Sequence, residues 1–211
     1  MNESSCKEII VIDYGMGNIH SVTKALAAAG AEVRVTSSAS DLAAAKAVVL
    51  PGVGHFGDAM NRLNESGMTQ PLREWITNRK PFLGICLGLQ TLFDRSDESP
   101  DIPGLGAYRG SVVKFPAQVN GEKMIVPAMG WNTVHCNGTN RGPDITGKSF
   151  YFVHSYYASP ADRRIISATT DYGINYTAAI ADPPIYATQF HPEKSGEAGI
   201  DLLKAWLGSI A

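Results

Sequence analysis

The sequence predicts an α/β fold, with a three-layer, mostly parallel sheet flanked by helices and an antiparallel or mixed extension in the second half. Three observations favour this class. Short β-branched runs alternate with longer helical patterns, the runs are continuously apolar as in strands buried on both faces, and Gly and Pro become frequent after about Asp101. Because 211 residues with 44% apolar composition can bury one full core, we expect a single domain spanning residues 1–211.

The elements of the first half follow one another as strand and helix units. Short apolar runs predict strands at residues 8–13, 32–36, 47–50 and 82–85. Apolar side chains at helical spacing predict helices at residues 18–29, 56–66 and 68–78. Strands separated by helices run in the same direction, so these units imply a parallel sheet.

The second half has shorter apolar runs between turn residues. These runs predict hairpin strands at residues 111–116 and 124–127, and further strands at 149–154, 164–168, 176–181 and 185–190. An amphipathic helix is predicted at residues 199–207.

Composition excludes several classes of partner. Lys and Arg total 18 against 20 for Asp and Glu, so the net charge of -2 gives no basic excess for nucleic acid. Residues 1–7 are polar and the next apolar run is short, which predicts neither a signal peptide nor a membrane span. The three cysteines are widely spaced without a CxxC pair, so we expect no metal site and reduced thiols in a cytoplasm. Gly15-Met-Gly17 lacks the third glycine of a dinucleotide fingerprint, and no cofactor is predicted.

Cys86 is the candidate nucleophile. It lies between a predicted buried strand and a helical pattern, with Gly84 two residues before it and Gly88 two residues after it. This spacing is typical of a nucleophile elbow, where larger flanking side chains would crowd the sharp strand-to-helix turn. A helix N-terminus also favours the reactive thiolate. The simpler alternative, a small buried hydrophobe, is retained for Cys6 and Cys136.

His191 and Glu193 are the candidate base and its orienting carboxylate. His191 directly follows a predicted strand, and Glu193 two residues later can accept a hydrogen bond that fixes the imidazole tautomer. The alternatives are a surface histidine and a solvated carboxylate. His154 is the main rival base, and we interpret it as a structural or interface histidine.

Backbone amides are the candidate oxyanion donors. The Leu87 amide follows the nucleophile directly, and Gly52-Val53 follows the third predicted strand. We expect the Val53 amide to be the second donor, because acyl transfer needs donors aimed at the developing oxyanion. An ordinary Pro-Gly turn is the alternative reading of that loop.

With these residues in place, the sequence resembles the class I, triad-type glutamine amidotransferases, and within them the glutaminase subunits of imidazole glycerol phosphate synthase in histidine biosynthesis. The likeness covers nearly the whole chain. The elbow and His191-Pro-Glu193 are typical of the superfamily, and three other segments are typical of the subfamily: 13–18 (Asp-Tyr-Gly-Met-Gly-Asn), 129–132 (Met-Gly-Trp-Asn) and 151–156 (Tyr-Phe-Val-His-Ser-Tyr).

This resemblance implies hydrolysis of glutamine through a thioester on Cys86, with the ammonia passing to a separate barrel-shaped cyclase subunit in a heterodimer. It implies substrate-binding roles for Gly54, Gln90, Ser155 and Tyr156. It implies a partner interface formed by Asn18, Met129, Trp131, Tyr151 and Lys194. Core positions for Met129 and Trp131 are the simpler alternative.

Two departures from the family pattern are visible. Ala128 stands where the family more often has histidine, which we expect to affect interface detail only, and Tyr176 stands where phenylalanine is common. Two other functions remain open at this stage. One is a glutaminase that serves another acceptor synthase, and the other is a non-catalytic thiol sensor on the same fold.

Overall fold

A computed structural model describes residues 8–138 and 141–210 of the chain. The prediction for residues 1–7, that they form neither a signal peptide nor a membrane span, lies outside the described residues, as does Cys6. Within the described residues, no helix is long and apolar enough to cross a lipid bilayer.

The strands and helices alternate in the first half and give way to a run of strands in the second. The strands are β1 (Glu8–Ile12), β2 (Glu32–Thr36), β3 (Ala47–Gly52), β4 (Phe82–Cys86), β5 (Phe93–Ser96), β6 (Tyr108–Lys114), β7 (Gln118–Val119), β8 (Glu122–Lys123), β9 (Ala128–Cys136), β10 (Ser149–His154), β11 (Tyr156–Pro160), β12 (Ile166–Tyr172), β13 (Ile174–Asp182) and β14 (Ile185–Thr188). The α-helices are α1 (Ile19–Ala28), α2 (Phe56–Glu65), α3 (Thr69–Thr77), α4 (Leu87–Gln90) and α5 (Gly196–Gly208).

The main sheet is mixed, as the two halves of the sequence predict. Within the described residues it has nine strands in the order β10-β9-β12-β13-β14-β4-β3-β1-β2. Strands β14, β4, β3, β1 and β2 are paired in parallel. The pairs from β14 through β13, β12 and β9 to β10 are antiparallel. The nucleophile strand β4 therefore lies inside the sheet, between two parallel neighbours.

Helices cover both faces of this sheet, because its strands are apolar on both sides. Ile9 and Val11 of β1 pack in the same core cluster as buried residues of α1 and α5. Ile10 and Ile12, which alternate with them, pack with buried residues of α2 and α3. This alternation along one strand produces the predicted three-layer fold.

Several details differ from the sequence-based expectations, and the short strands β5, β7, β8 and β11 were not predicted. Residues 124–127 form the bend between β8 and β9 rather than a hairpin strand. β9 was not predicted, because half of its side chains face outward and interrupt its apolar pattern. The helix after Cys86 is a single four-residue turn, so the favourable field of a long helix is not available there.

Candidate active site

The ends of three neighbouring parallel strands bring the predicted site residues together. Gly52 at the end of β3 is paired in register with Cys86 at the end of β4. Ile85 is paired with Thr188 at the end of β14, and His191 follows three residues later. Carboxyl ends of parallel strands are where α/β sheets place reactive groups.

Cys86 occupies a strained turn between β4 and α4. Its φ of 55° lies in a region that non-glycine residues rarely adopt, and its side chain is only 6% exposed. A Cβ at Gly88 would lie 1.8 Å from the carbonyl oxygen of Leu50, and one at Gly84 would lie 2.8 Å from the oxygen of Gly88. Both flanking glycines are therefore required by close backbone approach, as the elbow spacing predicts.

His191 is paired with Glu193 in a buried turn. His191 Nδ1 lies 2.7 Å from Glu193 Oε1, and both side chains are 2% exposed. The turn is anchored to β10, because the His191 amide donates to the Tyr151 carbonyl at 2.9 Å and Ser195 Oγ accepts from the Tyr151 amide at 3.0 Å. Within the turn, Ser195 Oγ donates to the His191 carbonyl at 2.6 Å. Helix α5 also packs closely, since a Cβ at Gly199 would meet the Pro192 carbonyl at 1.9 Å.

The charge state of His191 follows from its neighbours. Burial lowers the pKa of His191, but the charge of the Cys86 sulfur and contact with it, followed by the Glu193 carboxylate, raise the pKa by more. Its Nε2 is buried without a well-formed hydrogen bond among the described residues. The net raised pKa favours the imidazolium form of His191 at neutral pH, the form that can give a proton to a leaving group.

His154, the rival base, is held as a neutral structural group. Its Nδ1 lies 2.8 Å from the Tyr156 carbonyl oxygen, and its Nε2 lies 3.2 Å from the Tyr176 hydroxyl. Burial lowers the pKa of His154 to about 4. The hydrogen bond to the Tyr156 carbonyl acts in the opposite direction, and the charge of His191 lowers the pKa further. Tyr176, the departure from the usual phenylalanine, thus supplies the second partner of this ring.

We expect this buried neutral histidine to make stability depend on pH. The pKa of His154 is about 4 in the folded protein, against an ordinary value of 6.5. The contribution of the neutral ring to the free energy of unfolding is therefore complete above pH 6.5 and is lost as the pH falls toward 4. Between pH 7.5 and pH 5 the wild type should lose about 2 kcal/mol more unfolding free energy than His154→Gln. Urea unfolding at the two pH values measures this difference, and equal losses in both proteins would contradict it.

A cavity of about 250 Å³ opens beside Cys86, and every predicted substrate-binding residue lies on its wall. Its lining residues include Gly54, Gln90, Ser155 and Tyr156. Glu98 also lines it but was not predicted, because its proximity depends on the loop after β5 folding back, with its Oε2 accepting the Phe56 amide at 2.7 Å.

The oxyanion candidates lie against each other at the cavity edge. A Cβ at Gly52 would meet the Leu87 Cβ at 2.8 Å and the Tyr14 hydroxyl at 2.5 Å, so β3 and the start of α4 are in close contact here. Val53 lines the same cavity as Cys86. Val53 and Leu87 therefore lie at the same edge of the sheet as Cys86, and the direction of their amides stays a prediction.

Gln189 is a further residue at the nucleophile that the sequence analysis did not assign. Its side chain is fully buried, and its Nε2 lies 3.7 Å from Cys86 Sγ. The available signal was its position two residues before His191, at the end of a strand parallel to β4.

Three of the predicted interface residues form a continuous exposed patch on β9, β10 and the His191 turn. The Trp131 and Tyr151 rings are edge-on with centroids 6.2 Å apart, and Lys194 Nζ lies 5.7 Å from the Tyr151 ring centroid. Met129 and Trp131 are 61% and 58% exposed, which excludes the alternative of core positions. Asn18 has a local role, since its side chain caps α1 by accepting from the Ser21 amide at 3.2 Å.

Ala128 does not belong to this exposed patch. Its side chain is buried in the core with Phe150 and Phe152, and it is paired in register with His154. The expectation that this departure affects interface detail only stays a prediction, and any such effect would act from beneath the β9–β10 surface.

Comparisons with known proteins agree with this geometry. A family model described as "Glutamine amidotransferase class-I" matches residues 10–207. The chain is 49% identical over 203 residues to "Imidazole glycerol phosphate synthase subunit HisH" of Methanothermobacter thermautotrophicus, covering 96% of this chain and 98% of that protein. It is 45% identical over 201 residues to the protein of the same name from Rhodopirellula baltica, covering 93% and 95%.

Solved structures show the same fold at lower sequence identity. The structure of PurLQS from Thermotoga maritima matches with a TM-score of 0.74 at 17% identity, covering 98% of this chain and all of that one. A crystal structure of a glutamine amidotransferase matches with a TM-score of 0.73 at 18% identity, covering 95% and 98%.

Proposed function

Because this chain belongs to the class I glutamine amidotransferase family, and within it to the HisH subunits of imidazole glycerol phosphate synthase, we propose that Cys86, His191 and Glu193 release ammonia from glutamine. The chain is a glutaminase subunit. The observation that carries the residue assignment is the buried His191–Glu193 pair, in which Nδ1 and Oε1 lie 2.7 Å apart and the pKa of His191 is raised by the neighbouring Cys86 sulfur.

The reaction proceeds through a thioester. The Cys86 thiolate attacks the side-chain carboxamide carbon of glutamine, and the Leu87 and Val53 amides donate to the oxyanion. The tetrahedral intermediate collapses as its C–N bond breaks and the His191 imidazolium gives its proton to the departing nitrogen, releasing ammonia. Neutral His191 then takes a proton from water, the hydroxide attacks the thioester carbon, and glutamate leaves as the thiolate and imidazolium are restored.

The cavity suits the amino-acid end of glutamine. Gln90 Nε2 already donates to the Tyr156 carbonyl oxygen at 2.9 Å and to Gln189 Oε1 at 3.2 Å, so substrate contact falls to Gln90 Oε1. That oxygen and the Glu98 carboxylate are acceptors suited to an α-ammonium group. We assign the α-carboxylate to backbone and side-chain donors of Ser155 and Tyr156, and the side-chain carboxamide to the Gly54 and Cys86 end.

The ammonia is delivered to a partner subunit. We propose that this partner is a barrel-shaped cyclase that docks on the patch of Trp131, Tyr151 and Lys194 and on the exposed side chain of Met129, two residues before Trp131 on β9, and that Asn18 contacts the margin of the patch. There the ammonia would combine with a phosphoribulosyl carboxamide ribonucleotide to give imidazole glycerol phosphate and aminoimidazole carboxamide ribotide. A reduced Cys86 requires a reducing compartment, which agrees with the proposed cytoplasmic location. One domain over residues 1–211 remains a prediction. We also propose that the orientation of the Gly52-Val53 peptide depends on binding of the partner.

Reconstitution tests this function. The chain is mixed with the cyclase subunit and its ribonucleotide substrate, and imidazole glycerol phosphate is measured with glutamine or with ammonium as the nitrogen source. Glutamine-dependent product with equimolar glutamate supports the proposal. Glutamine-dependent amination only with a different synthase would contradict the pathway.

Trp131→Ala is expected to weaken the complex. Exposed tryptophans often dominate interface energetics, so loss of this ring should raise the Kd for the cyclase about 30-fold, equivalent to about 2 kcal/mol. The matched control is Val35→Ala, which removes an exposed apolar side chain from β2 at the opposite edge of the sheet. Calorimetric titration measures both Kd values. Equal Kd values for the two variants would show that the patch is not part of the interface.

A further inference from the structure

A short series of buried side-chain amides connects the nucleophile to the cavity wall. Gln189 Nε2 lies 3.7 Å from Cys86 Sγ, within the range of an N–H···S hydrogen bond. Gln90 Nε2 donates to Gln189 Oε1 at 3.2 Å and to the Tyr156 carbonyl oxygen at 2.9 Å. Gln189 is fully buried and Gln90 is almost so.

These contacts fix which end of the Gln189 amide faces the sulfur. Its Oε1 accepts from Gln90, so its NH₂ group points toward Cys86. A reversed amide would set the NH₂ groups of Gln189 and Gln90 against each other and direct an oxygen at the thiolate. The backbone is fixed as well, since the Gln189 amide donates to the Ala178 carbonyl at 2.8 Å.

A buried thiolate needs such a donor. Cys86 is 6% exposed, so little water solvates its charge, and His191 must move its proton during each turnover. A side-chain amide has no proton to lose at physiological pH and donates throughout the cycle. Unlike the histidine, it can therefore hold the sulfur in place while the imidazole changes charge.

We propose that Gln189 is a positioning residue that donates a hydrogen bond to the Cys86 sulfur, and that Gln90 orients the Gln189 amide for this role. The inference deepens the proposed glutaminase function and rests on it. The titratable groups that act on the sulfur include His191, Tyr14 on the β1–α1 loop and Tyr176 on β13. Glu98 and His154 line the cavity beside it. Burial raises the pKa of both tyrosines, so neither titrates in the neutral range.

The test is the reactivity of Cys86 itself. The rate of its alkylation by iodoacetamide is measured from pH 4 to pH 9 in the full chain, by mass spectrometry of the peptide that contains it. In Gln189→Leu the acid limb of this profile should shift to higher pH by about one unit, because the thiolate loses a hydrogen-bond donor. Gln189→Glu, which is nearly isosteric, should move it further, since a carboxylate repels the thiolate. In complex with the cyclase, kcat for glutamine should fall about tenfold with little change in KM.

Gln70→Leu is the matched control, because it makes the same change on the exposed face of α3 and should leave the profile unchanged. Should Gln189→Leu not fold, Gln90→Ala leaves Gln189 in place and frees its amide to rotate, and a shift in the same direction is expected. Unshifted alkylation profiles in folded variants would overturn the proposal, even if glutamine turnover fell. A wild-type complex that hydrolyses no glutamine would contradict the proposed function instead, while alkylation would still report on the Gln189 contact.

Discussion

Cys86→Ala is expected to abolish glutamine-dependent synthesis and to leave ammonium-dependent synthesis by the complex intact. Alanine keeps the Cβ of cysteine, so the positive φ of the elbow is no more strained than in the wild type. Only the sulfur that forms the thioester is lost, and the partner still receives ammonium from solution. The measurement is product formation with each nitrogen source.

Cys136→Ala is the control for this change, because Cys136 is a half-buried thiol at the end of β9, outside the cavity beside Cys86. It should retain both activities. Loss of ammonium-dependent synthesis in Cys86→Ala would contradict a purely glutaminase role, and retained glutamine hydrolysis would exclude Cys86 as the nucleophile.

His191→Ala should lower kcat for glutamine hydrolysis by about 10²–10⁴-fold, because it removes the group that protonates the leaving nitrogen and activates water. Glu193→Gln should have a smaller effect with a distinct pH signature. The carboxylate raises the pKa of His191, so its removal lowers that pKa and moves the basic limb of the activity profile to lower pH. Steady-state rates from pH 6 to pH 10 measure both effects.

His135→Ala, on the exposed face of β9, is the control for the histidine substitution and should leave the rates unchanged. A kcat for His191→Ala within a few-fold of the wild type would exclude this residue as the base. A basic limb that does not move in Glu193→Gln would show that the carboxylate does not act on the imidazole.

The geometry of the candidate reactive groups was predictable because its signals are local in sequence. The Gly84–Gly88 spacing around Cys86 reflects backbone contacts within a few residues and with the adjacent β3. His191 and Glu193 are two residues apart, so their pairing needs only one turn of chain. The same locality explains the correct prediction of β1, β3 and β4 as buried strands, whose apolar runs record burial on both faces. The expectation of burial on both faces was wrong for β2, which lies at the edge of the sheet and is largely exposed or half-buried.

The residues that were missed depend on distant parts of the chain. Gln189 meets Cys86 across 103 positions of sequence, and Glu98 meets the Phe56 amide across 42. No pattern within one element records such contacts, because the sheet order that creates them is set by packing. Strand β9 was also missed. A strand with one solvated face is expected to alternate apolar and polar side chains, but the exposed side chains of Met129 and Trp131 are apolar.

The order of strands in the main sheet has a consequence for synthesis of the chain. β14 comes late in the sequence but lies between β13 and β4 in the sheet. Gln189 and His191 follow it directly, at the end of the sheet where Cys86 lies. A growing chain on the ribosome exposes Cys86 well before the residues that activate it exist. Because β14 and the residues after it complete both the sheet and the proposed reactive site, we expect a truncated chain that lacks them to consume no glutamine.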